Sequence, residues 1–263
     1  MSDLDRIDTA AGAFAPRPGA APFARQVLAQ AAIESKLMLR NGEQVLLAVV
    51  IPLIVLVGGV EAAQHIDLGL SERPIDEFVP GVLALAVMST AFTSLAIATG
   101  FERRYGVIKR LGSSPLPRSG LLLGKVGALL AIEALQILVI SLVAFAMDWQ
   151  PQTSLPAAIL MVLAGTAAFA ALGLFVAGVL RAEATLAAAN LVYLLFMVGG
   201  AVVLPASAYG GFGGVTEFLP SGALGEGLRS AFWYGELRLP SLVVLVVWAG
   251  IGALLTARTF KWE

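Results

Sequence analysis

Six apolar stretches dominate the sequence, at residues 44–60, 78–100, 121–147, 155–180, 184–204 and 240–257, and five of them carry no charged residue. A helix crossing about 30 Å of hydrocarbon needs roughly 20 apolar residues. The runs are continuous and do not alternate, so they read as helices, not barrel strands. The first is short, and Lys36, Arg40 and Glu43 extend it by snorkelling; Pro52 within it predicts a kink, not a break. Charged residues make up only 13% of the chain, against about 25% in soluble domains. The class is therefore an all-α integral membrane protein with six transmembrane helices.

The same composition excludes several chemistries. With 17 Lys+Arg against 18 Asp+Glu there is no basic excess to neutralise phosphates, so a nucleic-acid partner is not expected. The chain has no cysteine, which removes disulfides, thiol catalysis and thiolate metal sites. His65 is the single histidine; it falls in an outer loop near Asp67 and reads as solvated, leaving neither an imidazole triad nor a histidine metal site.

Orientation follows from where the cations fall. Of the seventeen Lys and Arg, only Arg73, Arg229 and Arg238 lie on one side of the predicted spans, and the other fourteen lie opposite. Both termini are expected in the cytoplasm. Residues 1–22 mix Asp3, Asp5 and Asp8 with Ala, Gly and Pro, lack the pattern of a cleavable signal peptide, and read as a disordered tail. Residues 23–41 are helix-forming and mildly amphipathic. They either lie along the inner membrane surface, turning inward at Asn41-Gly42, or simply extend the first span.

The densest basic stretch joins spans two and three: Glu102, Arg103, Arg104, Tyr105, Gly106, then Lys109, Arg110 and Leu111, closing on Pro115, Pro117 and Arg118. Val107, Ile108 and Leu111 share one helical face, and the prolines end it. Physics alone leaves two readings, a charged anchor without a partner or a short amphipathic docking helix. Gly120 to Val126 is the nearest approach to a phosphate-binding loop, but its glycine spacing is one residue short and Val126 stands where a hydroxyl is needed, so it is rejected.

In this region the chain resembles the permease subunits of ABC-2 type exporters, the group of drug-resistance and lipid or polysaccharide permeases. The likeness is carried by Glu102-Arg103, Gly106, Lys109-Arg110-Leu111, Pro115-Leu116-Pro117-Arg118 and Leu123-Gly124-Lys125, and by Leu204-Pro205, Phe218-Leu219-Pro220 and Leu228-Arg229 between spans five and six. It covers about residues 23–260, with Arg104-Tyr105 as one departure. The resemblance implies a membrane domain over residues 23–263 with a surface helix before span one, and a cytoplasmic coupling helix, formed by Glu102, Arg103, Arg104, Gly106, Lys109, Arg110 and Leu111, that docks on a separate ATPase. Two ATPase copies would bind ATP and Mg²⁺, with no cofactor on this chain. It also implies a second permease copy or a related chain, contact with membrane lipid, and short re-entrant helices in the outer segment around Pro205, Pro220 and Arg229; a plain outer loop is the other reading. The implied role is non-enzymatic: export of hydrophobic or amphiphilic drugs, lipids or lipid-linked glycans, through a bacterial inner membrane that the excess of Arg over Lys also favours. A proton-coupled carrier and a non-transporting assembly subunit are the alternatives.

Within the spans, Glu133 lies near the bilayer midplane, about a dozen residues into span three. A charge there costs roughly 3 kcal/mol, against about 4–7 kcal/mol returned by the neighbouring Leu, Ile, Val and Phe. The span survives, and the carboxyl must face protein or water. It is either a polar spot in a translocation path favouring cationic amphiphiles, or a buried group joining helices through Gln136 or Asn190. Ser89, Thr90, Thr93, Ser94 and Thr99 serve either helix packing or substrate contact. Gly165, Gly173, Gly178, Gly199 and Gly200 predict close backbone approach, and Ser221 is expected to cap a helix running from Pro220 toward Trp233 and Tyr234.

Overall fold

The computed structural model describes residues 21–40, 42–66, 72–107 and 117–259, apart from the side chains of 43–47 and 118. Within them the regular structure is helical: α1 (Phe23–Arg40), α2 (Gly42–His65), α3 (Pro74–Met88), a π-helical turn (Ser89–Ser94), α4 (Leu95–Arg104), α5 (Arg118–Ala146), α6 (Leu155–Val179), α7 (Ala182–Gly199), a 3₁₀ turn (Ala206–Phe212), α8 (Gly213–Thr216), α9 (Pro220–Trp233) and α10 (Leu239–Thr259). Six helical segments have the length and apolarity to cross a membrane, with α3, the π-turn and α4 acting as one continuous segment from Pro74 to Arg104.

That continuous segment is the axle of the bundle. Of the residues in its most apolar 18-residue stretch 72% are buried, against 17% in those of α2 and α10. Its start is set by Pro74 at the first helical position, with Asp76 and Glu77 in the first turn where carboxylates complement the helix dipole. Helices α5, α6, α7 and α9 pack around it, and α2 leans on its α3 half. The π-turn turns the backbone carbonyls of Ala91 and Phe92 toward α6, and Gly173 is what allows α6 to reach them: a Cβ there would stand 2.8 Å from the Phe92 oxygen. Gly165 against Leu224 and Gly200 against Ser221 are close approaches as expected, while Gly199 faces open space.

Helix α1 buries none of its residues and lies along the start of α5, where Gly124 and Gly127 let Gln30 and Ala31 come close. It leaves Leu28, Ile33 and Leu37 exposed. Helix α2 continues through Pro52, as the sequence predicts. The expectations for residues 1–20, and for Asp67, Lys109, Arg110 and Leu111, lie outside the described residues.

Two expectations are corrected. Span five does not run to Leu204. It stops at Gly199, and residues 200–204 form a buried irregular turn in which Ala201 takes a φ of 51°. The apolar Ala201-Val202-Val203 run looks helical by composition, but the carbonyls of Val202 and Val203 hold a buried arginine instead. Ser221 is not the cap of α9: Leu219 occupies that position, and the Ser221 hydroxyl donates to the Gly200 carbonyl at 2.9 Å.

The turn lies directly on α3, and a Cβ on Gly81 would collide with the Val203 backbone oxygen, whereas one on Gly250 of α10 meets nothing within 4 Å. Gly81→Ala is therefore expected to cost folded yield and lower the melting temperature in detergent. Gly250→Ala should be neutral or slightly stabilising, by up to about 1 kcal/mol of helix propensity. Equal melting curves for the two variants would contradict the packing described.

Candidate functional site

At the basic end of the bundle, three successive residues fan out to three neighbours. Glu102, in the last turn of α4, accepts from Lys125 of α5 at 2.6 Å, and the same ammonium donates to Glu34 of α1 at 3.1 Å. Lys125 is only 8% exposed in this triad. Arg103 donates to the Ala177 carbonyl near the C-terminus of α6, where the helix dipole favours a cation. Arg104 pairs with Glu183 in the first turn of α7 and lies 5.8 Å from the Tyr105 ring centroid. Gly106 then adopts a φ of 67°, left-handed backbone that glycine takes at little cost, and ends the helical register. The expected single helix from Glu102 to Leu111 is thus corrected: Glu102, Arg103 and Arg104 belong to the end of the axle segment, and the turn at Gly106 breaks the helix after them.

Beside this clamp a groove of about 720 Å³ runs between α2, the π-turn, α4 and α7. Ser89, Thr93, Glu102, Asn190 and Tyr193 supply its polar edges, and Ile51, Ile97 and Leu186 its apolar walls. Ser89 shares a hydrogen bond with the Tyr193 hydroxyl, and Thr93 Oγ1 has no partner within the chain. Three of the predicted path residues, Ser89, Thr93 and Asn190, therefore meet on one surface.

Glu133 and Gln136 do not join them. Gln136 accepts from Thr90 Oγ1 at 2.7 Å and donates to the Ala48 carbonyl at 2.8 Å, tying α5 to the axle and to α2. Glu133 is 1% exposed; its Oε2 accepts from Thr166 of α6 at 2.7 Å and its Oε1 has no partner. The expected bond from Glu133 to Gln136 or Asn190 is corrected, because Gln136 is already engaged and Asn190 lies exposed on α7.

The opposite end is held by Arg229 of α9, 1% exposed. Its guanidinium donates to the carbonyls of Val202 at 3.0 Å and Val203 at 2.6 Å, and pairs with Glu226 at 3.1 Å and Glu77 at 3.9 Å. Burial pulls the Arg229 pKa down from its usual value, against the pull of Glu226 and Glu77. Glu226 also accepts from the Ala206 N–H and from Arg238, which reaches Glu217. Pro205 leads into the 3₁₀ turn and Pro220 starts α9, so all three outer candidates frame one folded unit, with Trp233 Nε1 donating to the Asp76 carbonyl.

A family model described as ABC-2 family transporter protein matches residues 62–258. The chain belongs to the ABC-2 transporter family. No curated protein matches it at a significant level. The match spans the last turn of α2 through α10, so it includes both charge clusters, save Glu34 on α1, and all of the groove except the α2 wall. This ABC-2 protein is accordingly a multi-pass membrane component of an ABC transporter, a transport subunit and not itself the catalyst, in a family that works with an ABC ATPase.

Sequence reasoning missed Glu34, Glu77 and Glu226, and took Lys125 as an inner-side cation and as the end of the Leu123-Gly124-Lys125 motif without a carboxylate partner. The available signal was Lys125 itself, a cation eight residues into an apolar helix, where it needs a carboxylate partner. Lys125→Met leaves Glu34 and Glu102 facing each other without a cation and should lower stability by about 3 kcal/mol. Adding Glu34→Gln and Glu102→Gln should recover most of the loss. Thermal melting in detergent reads both effects, and an unchanged melting temperature for the single variant would remove the triad's structural role.

Proposed function

We propose that this chain is the permease of an ATP-driven exporter, and that the groove between α2 and α7 is half of its translocation path. The observation that carries the reading is the groove itself: about 720 Å³, apolar walls, and hydroxyl and amide groups supplied by Ser89, Thr93, Asn190 and Tyr193. Sites for small amphiphiles have this makeup, mostly apolar with a few placed polar groups. Its rims, α2 and α7, expose Ile54, Val57, Leu191, Leu194 and Leu195, so a second copy or a related chain facing them would close the path. The substrate is hydrophobic or amphiphilic: a drug, a lipid or a lipid-linked glycan.

Energy comes from ATP on two partner ATPase subunits docked at the basic end, which faces the cytoplasm together with both termini of the chain in a bacterial inner membrane. Residues Gly120 to Val126 lie inside α5, where the backbone amides from Leu121 onward are spent on helix bonds and cannot cradle a phosphate. Force on Lys109, Arg110 and Leu111 would pass through Gly106 into Glu102, Arg103 and Arg104. From there it reaches α1 and α5, the end of α6 and the start of α7. A proton-coupled carrier is disfavoured, because the intramembrane acid Glu133 stands outside the groove.

The chain has no native cysteine, so single cysteines report cleanly. Ile54→Cys and Leu194→Cys, oxidised in native membranes with copper phenanthroline, should give a disulfide-linked dimer of about twice the monomer mass. Leu254→Cys on α10 should not. Dimer at Leu254 alone would move the partner interface away from the groove. Separately, the double charge reversal Lys109→Glu with Arg110→Glu is expected to lose co-purification with the ABC ATPase and to uncouple ATP hydrolysis from export. Normal co-purification and export in that variant would reject docking at these residues.

A further inference from the structure

A second cavity, of about 400 Å³, lies on the other side of the axle segment, between α5 and α6. Leu83 and Leu228 line its inner wall, Phe145, Trp149 and Phe232 its end nearest the outer turn, and Glu133 its deep end. From Glu133 to Phe145 the helix rises about 18 Å, so the cavity is a long slot and not a sphere. Its mouth is bordered by exposed Phe145, Leu155, Ile159 and Leu163, an apolar face of two candidate membrane spans, and no Lys or Arg lines it.

Glu133 is the unexplained group. Thr166 holds Oε2, while Oε1 is buried with no partner, in a wall that is otherwise nearly all apolar. A buried polar atom left unpaired costs free energy, so something that supplies a hydrogen bond and a compensating charge is favoured there. An ammonium group supplies both, and an apolar body behind it would fill the slot. An anion would meet the carboxylate with no cation to offset it.

We propose that this slot is a binding site for a lipophilic amine taken from the lipid phase, separate from the groove between α2 and α7. The ammonium sits against Glu133 Oε1 and the chain runs along α5 toward Phe145 and Trp149. The site goes beyond the translocation reading and does not depend on it, because it needs neither a second copy nor an ATPase.

Equilibrium binding of radiolabelled dodecylamine to the purified chain in nanodiscs of zwitterionic lipid, with empty nanodiscs subtracted, tests this. Saturable binding near one per chain is expected, about tenfold tighter than dodecanol, the difference a charge-assisted hydrogen bond contributes. Glu133→Gln keeps an acceptor for Thr166 and should weaken dodecylamine to the level of dodecanol, with little change in melting temperature. Ala134→Phe, on the exposed side of α5 at the slot, should block both ligands. Asn190→Leu in the groove should change neither. Equal binding of amine and alcohol by the unaltered chain, undiminished amine binding in Glu133→Gln, or loss of binding in Asn190→Leu would each overturn the proposal. Failure of the cysteine cross-links or of ATPase docking would leave it standing.

Discussion

Two buried cations, one at each end of the segment from Pro74 to Arg104, organise this fold. In a largely apolar interior a charge must be compensated by geometry, because water is not there to do it. Lys125 is compensated by Glu102 and Glu34, which joins the start of α5 and the surface helix α1 to the end of α4. Arg229 is compensated by Glu226, Glu77 and two backbone carbonyls, which joins α9 and the irregular turn 200–204 to the start of α3. Removing one partner of either set strands the others, so these contacts specify where the elements sit more than they add to stability.

The middle of the bundle is held differently. There the contacts are close backbone approaches and hydroxyl bonds, such as Gly173 at the π-turn and Thr90 to Gln136. These are the interactions that work between helices in lipid, where apolar contact alone gives little preference for protein over lipid. The π-turn sits between the two charged ends; within it Ser89 and Thr93 line the groove while Thr90 donates to Gln136, so neighbouring hydroxyls have two different tasks.

The run Glu102-Arg103-Arg104 has a consequence for coupling. Each side chain is already committed within the chain, to Lys125, to the Ala177 carbonyl and to Glu183. These residues therefore tie the end of α4 to α5, α6 and α7 at once. Family membership supplies an ABC ATPase as the partner class.

Six spans, their approximate ends and the sidedness of charge were legible in the sequence because hydrocarbon imposes a length and a composition on anything that crosses it. The helices from Phe23 to Arg40 and from Pro220 to Trp233 were legible too, from helix-forming composition and from Pro220, although the cap expected at Ser221 was not. What composition cannot encode is partner choice between distant residues. It gave Glu133 a neighbour in Gln136, three residues along the same helix, yet Gln136 bonds Thr90 and Ala48, and Glu133 bonds Thr166. It read Ala201-Val202-Val203 as helix, because nothing local reveals that Arg229 will take the carbonyls of the two valines. Apolar length set which segments cross the membrane. Only the tertiary structure decided that the hydroxyl groove and the buried acid are two separate places, because that depends on which face of each helix turns toward which neighbour.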